Sequence, residues 1–129
     1  RDPRVVVLER TNIRTFNPQG VLVEPVDLVT IDASFISLKR ILPSVIPLVR
    51  QGGAILSLIK PQFEARRDQI GAGGVVSDGA IHQAVLEDMR LFCVAAGLTV
   101  LGTCPSPLTG PAGNREFFLY ARKGEGAGV

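Results

Sequence analysis

The sequence is poor in the residues that build metal sites and disulfides, with two cysteines and one histidine among 129 residues. It therefore lacks a Cys/His ligand set of the kind found in zinc sites, and we expect no metal. Cys93 and Cys104 fall in a helical and a strand pattern, respectively. We interpret both as reduced packing thiols, which are typical of a cytoplasmic protein.

Long apolar runs are also missing, because no stretch approaches the ~20 residues of a membrane span. The net charge of +2 is too small to indicate nucleic-acid binding by itself. A content of 46% hydrophobic and 20% charged residues is typical of one soluble globular domain. The chain begins with Arg1 and shows no signal-peptide pattern, so we expect it to be cut from a longer protein.

The most informative segment runs from Gly53 to Glu64. Within it, residues 54–59 form an unbroken apolar run of strand length, which predicts an inner strand buried on both faces of a parallel sheet. The run ends at Lys60-Pro61, because proline cannot donate the next ladder hydrogen bond. A lysine at the carboxyl end of a central strand lies at the edge where open α/β sheets usually carry their binding and catalytic residues. Burying the charged lysine side chain without a partner costs free energy, so we expect negatively charged groups near Lys60.

The remaining pattern predicts an α/β fold with the order β, β-α, β-α, β-β. The first helix follows Ser34 and contains Pro43 and Pro47, so it should be kinked or split. The second follows Asp78 and covers about residues 79–96. The last two strands have no helix between them and must be antiparallel. The predicted strands are 5–8, 27–32, 54–59, 98–104 and 117–121.

The loops carry fewer signals. Gly71–Gly74 follows no strand directly and lacks the Gly-Lys-Ser/Thr of a phosphate loop, so we interpret it as a flexible lid. His82 is predicted to serve on the surface or as a cap, and Asn114 in a turn. Residues 123–129 form a glycine-rich, flexible tail after a domain that covers residues 1–122.

Three charged residues are predicted to meet at one edge of the sheet. Asp32 ends one strand, Lys60 ends the next, and Glu116 begins the last. If the last strand inserts beside the Lys60 strand, both carboxylates could reach the amine, since neighbouring strands lie ~4.8 Å apart. The simpler alternative is a structural ion-pair cluster.

Four segments resemble the TlyA, or hemolysin A, family, and the resemblance extends from Val5 to Arg122. They are residues 30–39, 58–64 (Leu-Ile-Lys-Pro-Gln-Phe-Glu), 73–76, and 106–117, which ends in Gly-Asn-Arg-Glu-Phe. Members of this family are FtsJ-like 2′-O-ribose methyltransferases of ribosomal RNA that use S-adenosylmethionine. The resemblance thus implies a Rossmann-like methyltransferase sheet that is incomplete here, with its first two strands missing and an antiparallel last strand.

The resemblance also implies roles for individual residues. Of the family's catalytic Lys-Asp-Lys-Glu set, Asp32, Lys60 and Glu116 are present, whereas the first lysine would lie upstream of Arg1. The glycine-rich cofactor loop, the acidic ribose-binding residue and an RNA-binding S4 domain would also lie upstream. One departure is Ala72, where the family more often has lysine. The cofactor-binding residues implied here are Thr11, Asn12, Ile13, Asp32, Ala33 and Ser34.

The proposed chemistry suits these residue types. A ribose 2′-hydroxyl must lose its proton as it attacks the methyl group, and Lys60 must be neutral to accept that proton. In this interpretation Lys60 is the base or the group that orients the hydroxyl. Burial favours the neutral amine, whereas Asp32 and Glu116 favour the charged one and fix its position. Arg66, Arg67 and Arg115 are further candidates for contacts with RNA phosphates, although exposed arginines are commonly only solvated.

The expected missing strands lead to predictions about this chain alone. The 5–8 strand would lack its neighbours, so we expect it to be displaced or to swap onto another copy or an external partner. Such a chain should bind the cofactor very weakly and show no methyltransferase activity. Two alternatives remain open: a non-catalytic ribosome-binding or hemolysin-like module, and a small-molecule methyltransferase. A membrane-active hemolysin would need an apolar or amphipathic membrane segment, which the sequence lacks.

Overall fold

A four-stranded mixed sheet is the centre of the computed structural model, which describes residues 2–124. The strand order is β1-β2-β4-β3. The strands are β1 (Val26–Ile31), β2 (Val49–Ile59), β3 (Leu98–Thr109) and β4 (Arg115–Lys123), and the helices are α1 (Leu38–Val45) and α2 (Gly79–Ala95). Short 3₁₀ turns cover Ile13–Thr15, Ile46–Leu48, Pro61–Phe63, Arg67–Gln69 and Ala72–Gly74.

The pairing confirms the predicted position of the last strand. β1 runs parallel to β2, and β4 lies antiparallel between β2 and β3. Ile59 at the end of β2 pairs with Phe117 near the start of β4. The carboxyl end of β2 and the amino end of β4 therefore lie at the same edge of the sheet.

Both helices pack on one face of the sheet. Alternate residues of the two central strands, such as Ile55 and Leu119, are buried together with Leu42 of α1 and Met89 of α2 in one hydrophobic core. The other face is more open: Leu28 is 54% exposed and lies on the opposite side of its strand from the core. The prediction that residues 54–59 are buried on both faces of a parallel sheet is therefore wrong, because every second residue of this run is only partly buried and the sheet is mixed.

The helix ends follow their caps and prolines. Asp78 caps α2 as predicted, since its carboxylate accepts a hydrogen bond from the backbone N–H of Ala80. The cap of α1 is Ser37, not the predicted Ser34, because Ser34 contacts another side chain and the chain turns at Phe35 before the helix begins. The predicted split is present: α1 ends at Val45, and a 3₁₀ turn with Pro47 follows.

The predicted strand at residues 5–8 is wrong. These residues form no strand, and their side chains are 47–66% exposed. No strand among residues 2–124 pairs with the outer edge of β1, so this edge is free and residues 5–8 do not occupy it. The predicted absence of residues 5–8 from the sheet agrees with the structure, whereas the swap onto another chain stays a prediction.

Two strands are longer than predicted. β2 begins at Val49, five residues before the predicted start at residue 54, and passes through Gly52-Gly53. β3 continues beyond Cys104 to Thr109 despite two prolines, which an edge strand tolerates. The predicted tail at 123–129 lies outside the described residues except for Lys123, which ends β4, and Gly124. Within residues 2–124, no helix combines the length and apolarity needed to cross a membrane.

The buried central strand should dominate stability. Ile55→Ala removes a fully buried side chain from β2, and we expect it to lower the free energy of unfolding by ~2–5 kcal/mol. Leu28→Ala is the control, because this side chain is more than half exposed, and its effect should stay within ~1 kcal/mol. Urea unfolding of the three proteins measures both values, and equal losses would contradict this assignment of the core.

Candidate active site

The Lys60 side chain lies at the carboxyl end of β2, where Pro61 ends the strand. It is 12% exposed, and its Nζ lies 2.7 Å from Oδ1 of Asp32 and 2.9 Å from Oγ of Ser34. Asp32 directly follows β1, the parallel neighbour of β2. The structure thus brings the predicted amine and its first carboxylate together.

Glu116 lies at the same edge but does not form the predicted contact with the amine. Extending the β2–β4 register by one residue beyond the Ile59–Phe117 pair places Glu116 opposite Lys60. Its carboxylate accepts a hydrogen bond from Nε2 of Gln62 at 3.2 Å, and within residues 2–124 it has no ion pair shorter than 4.0 Å. The 3₁₀ turn after Lys60 brings Gln62 beside the carboxylate, so the amide takes the place that was expected for the amine.

Glu64 joins the two loops that hold Lys60 and Asp32. Its two carboxylate oxygens accept hydrogen bonds from Oγ of Ser37 at 2.6 Å and from the backbone N–H of Leu38 at 2.8 Å. Burial raises the pKa of Glu64, and this exceeds the opposing effect of its hydrogen bonds. Glu64 therefore fastens the segment after β2 to the start of α1.

An aromatic pair stands beside this edge. Phe35 adopts φ +65°, a left-handed conformation that is strained for a bulky residue, and is 89% exposed. Its ring centroid lies 5.0 Å from that of Phe63. Together with Gln62, Ile70 and Ala112, the two rings line a mainly apolar pocket of about 360 Å³. Pockets of this size and lining bind small ring systems.

A side-chain network anchors the far wall of this pocket. Asn114 accepts a hydrogen bond from the backbone N–H of Val76 at 2.8 Å and donates one to the carbonyl of Gly74 at 2.9 Å. Nε2 of His82 lies 2.7 Å from the Val76 carbonyl, so this nitrogen is the donor. His82 is 6% exposed, which shows that its predicted surface role is wrong.

The network also changes the interpretation of two loops. Asn114 is 2% exposed and bonds to a segment about 40 residues away, a role beyond the local turn that we predicted. The predicted lid, Gly71–Gly74, contains a 3₁₀ turn and is tied at Gly74 to Asn114. No periodic pattern in the sequence predicts these long-range hydrogen bonds.

The residues predicted to bind the cofactor divide into two groups. In the first group, Thr11 to Ile13, Asn12 caps the Ile13–Thr15 turn and Ile13 packs against the hydrophobic core. In the second group, Asp32 to Ser34, Ala33 also packs against the core. Thr11 and Ile13 line a depression of about 160 Å³. Ser34 contacts Lys60. The depression is smaller than the ~300 Å³ that is usual for a small-molecule site, so its volume alone does not indicate a complete ligand pocket.

The predicted RNA-binding arginines are exposed and scattered. Arg66 pairs with Asp68, Arg67 begins the adjacent 3₁₀ turn, and Arg115 begins β4. The structure shows a further pair that the sequence analysis missed. Arg14 and Arg40, together with the two phenylalanines, line a second, wider depression of about 590 Å³. These arginines lie 26 residues apart, and no motif in the sequence connects them.

The family model for FtsJ-like methyltransferases matches residues 1–123. This chain belongs to the FtsJ-like methyltransferase family. The predicted resemblance to TlyA and hemolysin A is confirmed. The chain is 43% identical over 121 residues to the 16S/23S rRNA (cytidine-2′-O)-methyltransferase TlyA of Mycobacterium tuberculosis, a match that covers 94% of this chain and 45% of that protein.

Solved structures agree with this assignment. A protein named as a hemolysin from Streptococcus thermophilus matches with a TM-score of 0.91 and 40% identity, over 97% of this chain and 45% of that one. The N-methyltransferase NodS from Bradyrhizobium japonicum, in complex with S-adenosyl-L-homocysteine, matches at a TM-score of 0.51 and 16% identity over 89% of this chain and 53% of that one, which shows the fold alone. The FtsJ-like chain spans about half the length of the curated relatives it matches.

The partial burial of Glu64 predicts a pH dependence of stability. A raised pKa means that the folded chain holds the proton more tightly than the unfolded chain. The stability contributed by Glu64 is therefore complete below the ordinary pKa of 4.5 and is lost as the pH rises through the raised value. Relative to Glu64→Gln, which does not titrate, the wild type should lose stability between pH 4 and pH 7. Urea unfolding of both proteins at these pH values tests this, and a relative gain by the wild type would contradict it.

Proposed function

We propose that this chain is the catalytic part of an S-adenosylmethionine-dependent 2′-O-ribose methyltransferase of ribosomal RNA. The observation that carries the proposal is the Lys60 amine at the end of the central strand, 2.7 Å from Asp32 and opposite Glu116. It occurs in a member of the FtsJ-like family, and a relative with 43% identity is named for methylation of cytidine 2′-oxygens in rRNA.

Lys60 has the geometry of a base or of a group that orients a hydroxyl. The Lys60 side chain is 12% exposed, and Asp32 and Ser34 fix the direction of its amine. A neutral amine here accepts the proton of the ribose 2′-hydroxyl as that oxygen attacks, and such general-base help contributes ~10²–10⁴-fold. S-adenosylmethionine would supply the electrophilic methyl group. Thr11, Asn12 and Ile13 would hold its adenine side, and residues 32–34 would lie close to the transferred group.

The surface around Lys60 suits a nucleotide of RNA. The apolar pocket beside it takes a base against Phe35 and Phe63, because aromatic rings stack on nucleobases. Arg14 and Arg40 line the depression on these same rings and would meet backbone phosphates. Arg66, Arg67 and Arg115 are proposed as weaker, more distant phosphate contacts.

The rest of the site would come from outside this chain. We propose that a Rossmann-like sheet is completed by two further strands along the free edge of β1, with helices over the open sheet face. The upstream part would also supply the first lysine, the glycine-rich loop and an S4 domain for rRNA. Residues 1–122 would then be the carboxyl-terminal part of a cytoplasmic methyltransferase domain. The exposed 5–8 segment would pair within that larger protein, or with another copy when alone.

Removal of the Lys60 amine should lower methyl transfer and leave cofactor binding nearly unchanged. In the longer protein that carries this chain, Lys60→Ala should lower methyl transfer to ribosomal RNA at least ~10²-fold, because it removes the base. The affinity for S-adenosylmethionine should change little, since the cofactor contacts lie elsewhere. Transfer of radiolabelled methyl groups and calorimetry measure the two effects.

Arg50→Ala is the matched control, because Arg50 pairs with Asp27 at the amino ends of β2 and β1, at the opposite edge of the sheet from Lys60. Comparable turnover by Lys60→Ala would rule out the proposed role of the amine. Ribosome binding without any methyl transfer by the wild type would favour a non-catalytic module instead.

The incomplete pocket predicts that residues 1–129 alone bind S-adenosylmethionine very weakly and transfer no methyl group. The depression at Thr11 and Ile13 covers only part of such a ligand. Calorimetry of this chain and of the longer protein tests the prediction. Micromolar binding by the 129-residue chain would contradict it.

A further inference from the structure

Two loops meet at the Lys60 edge of the sheet, and side-chain contacts join them at two places. The first loop, residues 32–37, follows β1 and leads into α1, and the second, residues 60–64, follows β2. Lys60 contacts Ser34 close to the strand ends, and Glu64 contacts the start of α1 further along. All of these partners belong to this chain, so the contacts do not depend on the part of the longer protein that lies outside it.

The first loop contains a strained residue between these two places. Phe35 adopts φ +65°, a conformation that bulky side chains rarely take. Such a conformation costs free energy and persists only where the surrounding structure fixes it. On the amino side of Phe35, Ser34 accepts a hydrogen bond from the Lys60 amine at 2.9 Å. On its carboxyl side, Ser37 donates one to Oε1 of Glu64 at 2.6 Å.

Glu64 is well placed to fix this loop, because it is itself fixed. Its backbone N–H donates to the Pro61 carbonyl at 3.1 Å and closes the 3₁₀ turn after β2. Its Oε2 accepts a hydrogen bond from the backbone N–H of Leu38 at 2.8 Å. Leu38 is 3% exposed and belongs to the hydrophobic core. The Glu64 carboxylate thus connects a closed turn to a buried helix start.

The same connection sets the spacing of two aromatic rings. Phe63 directly precedes Glu64, and Phe35 lies two residues before Ser37. The ring centroids of the two phenylalanines lie 5.0 Å apart, and their planes are inclined by 50°. Both rings line the apolar pocket of about 360 Å³. The hydrogen bond between Glu64 and Ser37 therefore joins the two segments that carry these rings.

We propose that Glu64 is a positioning residue that keeps Phe35 in its strained conformation against Phe63, and so holds the aromatic wall on which the base of the substrate nucleotide stacks. Without the carboxylate, the loop is fixed by a side chain only on the Ser34 side. Phe35 then relaxes to an ordinary backbone conformation, and its ring leaves Phe63. This inference rests on the proposed function, which places a nucleobase in this pocket.

The test compares Glu64→Ala with Glu64→Gln in the longer protein. Alanine removes both hydrogen bonds, whereas glutamine keeps both, because its Oε1 accepts from the Leu38 N–H and its Nε2 donates to Oγ of Ser37. In Glu64→Ala, kcat/KM for methyl transfer to ribosomal RNA should fall ~5- to 10-fold, as expected for the loss of one base–aromatic stack. Glu64→Gln should restore it to within ~2-fold of the wild type, and the affinity for S-adenosylmethionine should change less than ~2-fold in both variants.

A double-mutant cycle with Phe35 shows whether the effect passes through the ring. Phe35→Ala alone should lower kcat/KM by ~10-fold. Adding Glu64→Ala to it should lower kcat/KM further by less than ~2-fold, because the ring that Glu64 positions is already absent.

Nuclear magnetic resonance of selectively labelled phenylalanines gives a readout without substrate. Nuclear Overhauser contacts between the rings of Phe35 and Phe63 should be present in the wild type and in Glu64→Gln. They should be lost in Glu64→Ala. A role of Glu64 in stability alone would leave these contacts in place in the folded variant.

Lys123→Met is the matched control for a general loss of stability. Lys123 donates two hydrogen bonds, to the carbonyls of Ile46 at 2.9 Å and Val49 at 2.8 Å. Val49 begins β2, so these bonds lie at the opposite edge of the sheet from Lys60. The variant should keep the ring contacts and the wild-type kcat/KM at a temperature where it is folded, which thermal melting establishes.

If Glu64→Ala does not fold, Ser37→Ala removes one of the same two hydrogen bonds and should lower kcat/KM in the same way. The positioning role is wrong if Glu64→Ala keeps the ring contacts, or if its loss of activity multiplies with that of Phe35→Ala. It is also wrong if Glu64→Gln loses as much activity as Glu64→Ala, or if Lys123→Met shows the same loss. In each of these cases an inactive Lys60→Ala leaves the proposed function standing. If Lys60→Ala retains activity, the proposed function itself fails, and the base-binding part of this inference fails with it.

Discussion

The pairing of the Lys60 amine with Asp32 is the interaction on which the proposed site depends. The amine sits at the end of a buried strand because Pro61 stops the ladder one residue later. The parallel neighbour ends beside it and supplies the carboxylate at 2.7 Å. A lysine with 12% exposure needs such a partner, and the sheet topology provides it without any long loop.

The surrounding loops are held by side chains rather than by further strands. Glu64 bonds to Ser37 and to the backbone of Leu38, and thus keeps the segment after β2 close to the segment after β1. Asn114 accepts a hydrogen bond from the Val76 N–H, and His82 donates one to the Val76 carbonyl. Together they fix the far wall of the apolar pocket. These hydrogen bonds hold the loops at the Lys60 edge in fixed positions. Catalysis by positioning of reacting groups requires such fixed surroundings.

Much of this arrangement could be predicted from local patterns. The Asp78 cap and the helix-free connection between the last strands each have a physical signature, and both were confirmed. The apolar run before Lys60 forms the predicted central strand, but only one of its two faces is fully buried. The Lys60–Asp32 contact followed from strand ends that share an edge. The 5–8 run was misread, because β-branched composition favours a strand but cannot supply the neighbour that a strand needs.

Side-chain choices at the site were harder to predict. Glu116 was placed at the right edge, but its bond to Gln62 depends on the turn after Lys60 and on the space at Gly110. The burial of His82 follows from its bond to a carbonyl six residues earlier, which no periodicity shows. Arg14 and Arg40 meet only through the folded positions of Phe35 and Phe63.

The most direct measurement is the chemical identity of the product. Ribosomal RNA from a strain lacking the longer protein is incubated with that protein and S-adenosylmethionine, digested to nucleosides and analysed by mass spectrometry. The account predicts a new nucleoside with its methyl group on the ribose 2′-oxygen. A methyl group on a base, or no methylated nucleoside with a folded, cofactor-binding protein, would contradict it.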